Sequence, residues 1–266
     1  MFKFAIGLLN LVVVAAFATA PQVPQAARSE LAPTGKLRAG INLGNVLLAT
    51  KDPGTGDVRG VAVDLAREIG RRVGVPVEIV TYDTPGQLAD AVKTGAWDIA
   101  FLAAEPARAA EITFTPAYSE IEATYLVPKD SHLRSIAEVD REGVRIAVAA
   151  KTAFDLFLSR SLQRAQLIRA QGTDVAFKAF VADRLEALAG LRPTLVSYVE
   201  KLPGSRLLDG RFTAIQQAIG TPKARGAAVE YLRAFVEDVK ASGLVTQAIE
   251  KHGVGGLSVA PIGAVQ

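Results

Sequence analysis

The run Asp98-Ile-Ala-Phe-Leu102 is apolar at every position after its first residue, and it lies between Gly95 and Pro106. A short strand that is apolar on both faces is typical of the centre of a parallel sheet, because helices cover such a sheet on both sides. Thr84 begins a helix upstream, and this helix ends at Gly95. The two elements predict an α/β unit with the run as its central strand.

The residues before this unit continue the alternation of strand and helix. Lys36–Asn42 and Val77–Thr81 are predicted strands, and four apolar residues between them recur at helical spacing: Val61, Leu65, Ile69 and Val73. Gly74 follows the last of these, as is common where a helix ends. This order of strands and helices implies parallel pairing with right-handed crossovers.

A second α/β unit is predicted to begin after Pro128. Its strands are Val144–Ala149, Gln166–Ala170 and Arg206–Leu208, and its helices are Thr152 to about Arg164, Thr173 to Ala182 and Pro193–Glu200. The longest helix follows, with Pro222 in its first turn and Gly243 at its end, and Leu244–Lys251 forms a last short helix.

Residues 1–20 have the pattern of an export signal. Lys3 gives the positive start, Phe4 to Phe17 is almost wholly apolar, and Ala18-Thr19-Ala20 matches the small residues that a signal peptidase needs. The alternative is an uncleaved membrane anchor, but the apolar run is short of the roughly 20 residues of a bilayer span. Cleavage predicts a periplasmic protein, and residues 21–35, rich in Pro, Ala and Gln, are expected to form a flexible leader.

The composition excludes several functions. The 266 residues contain no Cys and two His, so that a disulfide framework, a thiolate metal site and a cysteine nucleophile are excluded and a multi-histidine zinc site is disfavoured. The 30 Lys and Arg exceed the 27 Asp and Glu by only three, with no concentrated basic block, which argues against a nucleic-acid partner. No metal or other cofactor is expected.

Four motifs occur in order along the chain: Lys36-Leu-Arg-Ala-Gly40, Gly60-Val-Ala-Val-Asp64-Leu-Ala, Gly95-Ala-Trp-Asp98, and Arg108 followed by Phe114-Thr-Pro-Ala-Tyr118. With them the chain resembles the family 3 extracellular solute-binding proteins, the amino-acid-type receptors of ABC importers. The similarity extends from about Lys36 to Gly253. Gly210–Gly220 also looks like that family's return crossing to the first domain.

The resemblance implies an α/β architecture, the type II periplasmic-binding-protein fold. Two α/β domains, residues 36–125 plus 218–256 and residues 126–217, would be joined by two hinge crossings with a ligand cleft between them. Ligands in open α/β sheets bind beyond the carboxyl ends of the strands. The expected function is capture of an amino acid or organic carboxylate by a monomer and delivery to an ABC transporter permease.

Arg108 matches the family's Arg that holds the α-carboxylate of the ligand, a task that suits a planar, bidentate guanidinium. The alternative is a surface Arg paired with Glu105 or Glu111. Phe101 and Ala103 precede it in a segment that offers little side-chain hydrogen bonding, although its backbone N–H groups remain available.

The other candidates follow predicted strands. Asn42 and Asn45 are expected either to contact a polar ligand or simply to form a turn. Thr152 is the expected N-cap of a helix whose N-terminus favours an anion, and Lys151 would add charge or be solvated. Gln216 is a further candidate by position, with hinge packing as its alternative.

The clearest departure from the family lies at Leu191, where the family has the Asp that binds the ligand's α-ammonium. Asp183 does not correspond to that Asp, because it stands at the position of the family's turn glycine. Burying an ammonium without a carboxylate is costly, so the ligand is expected to lack a free α-amino group. Arg192 is expected to be a second cation in the cleft, which would favour a carboxylate or dicarboxylate ligand. The alternative is that Arg192 lies on the surface.

Two other functions remain open. Some relatives on this fold are periplasmic dehydratases of cyclic carboxylates, for which Glu105, Glu122 or Asp155 would supply the acid or base. A ligand sensor for a signalling receptor is the other alternative.

Overall fold

The computed structural model describes residues 23–263, so the predicted export signal, residues 1–20, lies outside the described residues. The helices are α1 (Gln25–Leu31), α2 (Val61–Val73), α3 (Pro85–Asp90), α4 (Ala153–Ser161), α5 (Thr173–Ala182), α6 (Arg192–Lys201), α7 (Gly226–Ala241) and α8 (Leu244–Lys251). The strands are β1 (Leu37–Asn42), β2 (Thr50–Lys51), β3 (Val58–Arg59), β4 (Val77–Tyr82), β5 (Ile99–Ala103), β6 (Ile112–Phe114), β7 (Ser119–Val127), β8 (Arg145–Ala149), β9 (Gln166–Ala170), β10 (Ala187–Leu191), β11 (Arg206–Leu207), β12 (Thr213–Pro222) and β13 (Leu257–Val259).

Two groups of parallel strands form the two ends of one sheet, whose order is β4-β1-β5-β12-β7-β10-β8-β9. In the first unit β1 pairs in parallel with β4 and β5, and in the second unit β8 pairs in parallel with β9 and β10. Parallel neighbours require crossover connections, which the intervening helices supply. The predicted α/β order is therefore confirmed in both halves of the chain.

Strands β7 and β12 connect the two units. They pair antiparallel from Thr213 opposite Ala123 to Gln217 opposite Ser119, and the far end of β12 then pairs with β5 of the first unit. The apolar core changes along β7: Ile121 belongs to the core of the first unit, whereas Ala123 belongs to that of the second. The chain thus passes between the units at two adjacent strands.

Local signals fix several helix ends. The Thr84 side chain accepts a hydrogen bond from the Gln87 N–H in a full capping box at the start of α3. The Thr152 side chain caps α4 by accepting a hydrogen bond from the Asp155 N–H, as predicted. Gly74, with a φ of 73°, ends α2 in the left-handed conformation that glycine adopts without cost.

The structure corrects the interpretation of residues 21–35 as a flexible leader, because Gln25–Leu31 forms α1. Leu31 is fully buried in the core of the first unit, and the Glu30 carboxylate accepts a hydrogen bond from the Ala228 N–H, 2.8 Å away, in the first turn of α7. The Pro and Gln content of this segment suggested a flexible chain, but the segment forms a helix because it buries the Leu31 side chain.

Pro222 is likewise the last residue of β12 and not part of the following helix, which begins at Gly226. None of the helices within residues 23–263 combines the length and hydropathy needed to cross a bilayer.

Candidate functional site

A cavity of about 480 Å³ opens between the two units, beyond the carboxyl ends of their parallel strands. The first unit contributes the residues after β1, β4 and β5. The second contributes the residues after β8, β9 and β10, including the N-termini of α4, α5 and α6. The polar lining side chains are Asn42, Asn45, Asp83, Thr84, Arg108, Thr152, Gln171, Thr173, Asp174, Thr194, Ser197, Tyr198, Lys201 and Gln217.

Arg108 is the buried cation of this cavity, with only 7% of its surface exposed. Its guanidinium donates hydrogen bonds to two backbone carbonyls, those of Ala103 at 2.7 Å and Lys151 at 3.0 Å, and forms no ion pair with a carboxylate of residues 23–263. Burial lowers the pKa of the group to about 10, which leaves it cationic at neutral pH. A buried charge that is bonded only to carbonyls favours an anionic partner.

The N-terminus of α4 forms the adjoining wall. The Thr152 hydroxyl donates to the Ala149 carbonyl at 2.8 Å and accepts from the Asp155 N–H at 3.2 Å. Ala153 and Phe154, the first residues of the helix, also line the cavity. The positive end of the helix dipole therefore faces the same space as Arg108.

Asn42 and Asn45 line the cavity from the first unit and also shape its turn. The Asn42 side-chain oxygen accepts from the Gly44 N–H at 3.0 Å, and that of Asn45 accepts from the Leu47 N–H at 3.3 Å. Each amide keeps its NH₂ group for another acceptor. Asn42 and Asn45 therefore form the predicted turn and also line the cavity.

The α5 and α6 side of the cavity is more polar. The Tyr198 hydroxyl donates to the Asp174 carboxylate at 2.7 Å, and the Tyr198 ring stacks on Phe177. Burial raises the pKa of the Tyr198 phenol, and the bond to Asp174 raises it further, so the hydroxyl keeps its proton. Thr194 and Ser197 add hydroxyl groups on this side.

Residues 37–255 match the model of the bacterial extracellular solute-binding proteins, family 3. The chain belongs to this family. A glutamine-binding protein of Geobacillus stearothermophilus is 24% identical over 196 residues, which cover 71% of this chain and 73% of that protein.

Solved structures agree with the assignment of this family 3 protein. A mutant of ArgBP from T. maritima superposes with a TM-score of 0.70 at 25% identity, over 85% of this chain and 99% of that one. The solute receptor for L-cysteine of Neisseria gonorrhoeae gives 0.72 at 21% identity, over 87% and 95%. An ancestral amino acid-binding protein, described as a precursor of cyclohexadienyl dehydratase, gives 0.69 at 23%, over 84% and 97%. The type II periplasmic-binding-protein fold is thereby confirmed.

In this family 3 protein two predicted residues of the strands, Phe101 and Gln216, lie outside the cavity. Phe101 lies in the core of the first unit, edge-on to Tyr118, while Leu102 and Ala103 line the cavity. Gln216 donates its amide to Glu120 at 2.9 Å outside the cavity, whereas Gln217, the next residue of β12, lines it. Phe101 lies two residues before the end of β5, inside the core, whereas the cavity begins at the strand end. In β12 successive side chains point to opposite faces, so Gln216 and Gln217 lie on different sides.

Two predicted cations also lie outside the lining. The Lys151 ammonium pairs with Asp90 of the first unit at 2.7 Å, with both side chains mostly exposed. Arg192 pairs with Glu122 at 2.7 Å and also donates to the Gly210 carbonyl, so Arg192 does not line the cavity, and among residues 23–263 the second cation of the lining is Lys201. In both cases a carboxylate outside the cavity holds the charge.

The carboxylates considered for acid–base chemistry are engaged elsewhere as well. Glu105 pairs with Arg160, Glu122 with Arg192, and Asp155 with Arg169. Asp83 and Asp174 are the acidic residues that do line the cavity within residues 23–263. In the same range no cluster of three or more His, Asp or Glu side chains could hold a metal ion.

Sequence reasoning missed Asp83, Asp174, Thr194, Tyr198 and Gln217. The rule that ligands lie beyond strand ends pointed to part of this set, because Asp83 follows β4 and Asp174 follows β9. Tyr198, in contrast, lies two turns into α6, where the sequence gives no signal for it.

Proposed function

We propose that this protein binds a small carboxylate solute between its two units and delivers it to the permease of an ABC importer. The observation that carries the proposal is Arg108, a buried cation in the interdomain cavity that is bonded only to carbonyl groups. The protein would act in the periplasm as a monomer, which accords with a family defined by extracellular receptors.

The guanidinium has the capacity for such a ligand. Arginine has five N–H donors in a planar fork, and two of its nitrogens here donate one bond each to carbonyl oxygens. The remaining donors suit the two oxygens of a carboxylate, and a charge-assisted pair of this kind is strong away from water. The adjacent α4 N-terminus supports the same anion.

The relatives support this class of ligand. Their descriptions name glutamine, L-cysteine and other amino acids as solutes, all of which carry a carboxylate. The lining carboxylates Asp83 and Asp174 and the hydroxyls of α6 would then contact the rest of the ligand.

The test is isothermal titration calorimetry of the mature protein against amino acids, dicarboxylates, aromatic acids and 2-oxo acids. We expect one-to-one binding of at least one carboxylate. Arg108→Met should weaken it about 100-fold or more, because it removes a buried charge partner. Arg67→Met, which removes an exposed arginine of α2, is the matched control and should leave the affinity unchanged.

An affinity that Arg108→Met does not alter would overturn the assignment of the site. Mass spectrometry of the ligand after long incubation separates binding from catalysis. Recovery of the unchanged compound supports a receptor, whereas conversion of a cyclic carboxylate would favour the dehydratase alternative.

A further inference from the structure

The cavity wall beside Arg108 is apolar. The Arg108 guanidinium donates hydrogen bonds to the carbonyls of Ala103 and Lys151. The residues that flank Ala103 and Lys151 in the sequence therefore lie close to the guanidinium. Among them, the cavity is lined by Leu102, Ala103, Ala149, Ala150, Thr152 and Ala153, and the Thr152 hydroxyl is already bonded to the backbone of Ala149 and Asp155. The part of a ligand that is held by Arg108 therefore meets methyl groups and backbone.

Among the acidic residues within residues 23–263, only Asp83 and Asp174 line the cavity. The charges that act on Arg108 are those of Glu105 and Asp90. Glu105 pairs with Arg160 at 2.6 Å, Asp90 pairs with Lys151, and neither lines the cavity. Asp83, which follows β4, and Asp174, whose carboxylate accepts a hydrogen bond from Tyr198, do line the cavity, but they are not among the charges that act on Arg108.

Leu191, the last residue of β10, contributes a further apolar side chain to the cavity. It lines the cavity and occupies the N-cap position of α6, and no side chain within residues 23–263 caps that helix. The next residue, Arg192, turns away to Glu122. This wall therefore offers an apolar side chain and the positive end of a helix, and both disfavour a cationic group.

These contacts decide what a ligand can carry next to its carboxylate. An ammonium on the adjacent carbon would enter the same region as the buried Arg108 charge and the α4 and α6 N-termini, whereas the lining carboxylates, Asp83 and Asp174, are not among the charges that act on Arg108. Burying such a charge is costly, and a neighbouring cation raises the cost. A neutral oxygen at that carbon would instead accept hydrogen bonds.

We infer that the solute is a carboxylate whose neighbouring carbon carries no ammonium group, for example a 2-oxo acid or a 2-hydroxy acid. The inference rests on the proposed function and names the solute class for that same cavity.

Matched pairs of compounds provide the test. Calorimetry with the mature protein would compare pyruvate with L-alanine, 4-methyl-2-oxopentanoate with L-leucine, 2-oxoglutarate with L-glutamate, and phenylpyruvate with L-phenylalanine. In each pair that binds, the oxo acid should bind at least about tenfold more tightly than the amino acid.

Leu191→Asp should reverse this preference, because it places a carboxylate beside the ammonium. Leu191→Asn is the matched control, with nearly the same shape and no charge, and it should not improve amino-acid binding. Both substitutes are favoured N-cap residues and the Leu191 backbone is extended, so both variants are expected to fold.

The outcomes separate this inference from the proposed function. Tighter binding of the amino acid in the wild-type protein, lost in Arg108→Met, overturns the inference and leaves the proposed function standing. Binding of neither series by the folded protein overturns both. Equal gains from Leu191→Asp and Leu191→Asn would show that shape, not charge, excludes the amino acid, and would also overturn the inference.

Discussion

The guanidinium of Arg108 donates a hydrogen bond to the backbone carbonyl of Lys151, 3.0 Å away, although one residue follows β5 in the first unit and the other follows β8 in the second. Lys151 has a φ of 58°, in the left-handed region, and its own N–H donates to Asp155 at 2.8 Å. The residue that we expect to bind the carboxylate therefore also connects the two units. Ligand binding and closure of the cleft would share one side chain.

The ion pair between Asp90 and Lys151 should contribute little to closure. Its atoms are 2.7 Å apart, but both side chains are more than half exposed, and such pairs usually contribute about 0.2–1 kcal/mol. We expect Asp90→Asn to weaken ligand binding at most about threefold, with the loss disappearing at high salt because of screening. Titrations at low and high ionic strength measure both effects.

A double-mutant cycle isolates this ion pair. If the two charges interact only with each other, adding Asp90→Asn to a Lys151→Met variant should cause no further loss. The single variant Lys151→Met and the double variant should therefore bind ligand equally well. Additive losses from the two single substitutions would contradict a direct interaction.

The adjacent glutamines of β12 should differ sharply in their effect on binding. Gln217 lines the cavity and is only 4% exposed, whereas Gln216 donates to Glu120 outside it. Gln217→Ala should weaken ligand binding by about tenfold, the usual effect of one lost hydrogen bond in a buried site. Gln216→Ala is the control and should leave the dissociation constant unchanged. Equal losses would indicate a general effect on the crossing strand.

The buried carboxylate of Asp98 should make stability depend on acid pH. Burial alone would raise its pKa, but hydrogen bonds from Arg38 and Arg225 outweigh that effect and hold the pKa below its usual value. A lowered pKa in the folded state contributes stability above the unfolded pKa of about 3.9, and this contribution is lost as the pH falls through the folded value.

Asp98→Asn should lower the free energy of unfolding by about 3 kcal/mol at pH 7, because it leaves two partly buried arginines without their carboxylate. The difference from the wild type should begin to shrink below the unfolded pKa of about 3.9 and should be lost as the pH falls through the lower pKa of the folded state. Urea unfolding from pH 7 to pH 2 measures it. The exposed Asp57→Asn is the control; a difference that does not change with pH would rule out the ionic explanation.

The helix at the start of the described chain should contribute to stability. Leu31 is fully buried against the first unit, so Leu31→Ala should lower the free energy of unfolding by about 3 kcal/mol. Ser29→Ala, at an exposed position of the same helix, should change it by less than about 0.5 kcal/mol. If α1 were only a loose leader, both variants would unfold at the wild-type urea concentration.

Much of the fold follows from local patterns. The apolar run at 98–102 forms most of β5, a fully buried strand between β1 and β12. The residues Val61 to Val73, spaced as in a helix, form α2, and Thr152 caps α4 as predicted. Hydrophobic period and capping act over a few residues, so they can be read without the tertiary structure.

The choice of cavity residues was predicted less well. Arg108, Asn42, Asn45, Ala103, Thr152 and Leu191 all line the cavity, as strand ends and the family motifs indicate. Phe101 lies too deep in β5, and Gln216 points to the opposite face of β12 from Gln217. Lys151 and Arg192 are held by Asp90 and Glu122, which are far away in the chain. Such pairing depends on which segments meet in space.

The sequence by itself thus determined the family and the α/β order of both units, because each is a property of neighbouring residues or their spacing. The tertiary structure alone decided which cations remain free for a ligand. Arg108 is left with only carbonyl partners while Lys151 and Arg192 each meet a carboxylate, since a charge pairs with whatever the fold brings within a few ångströms of it.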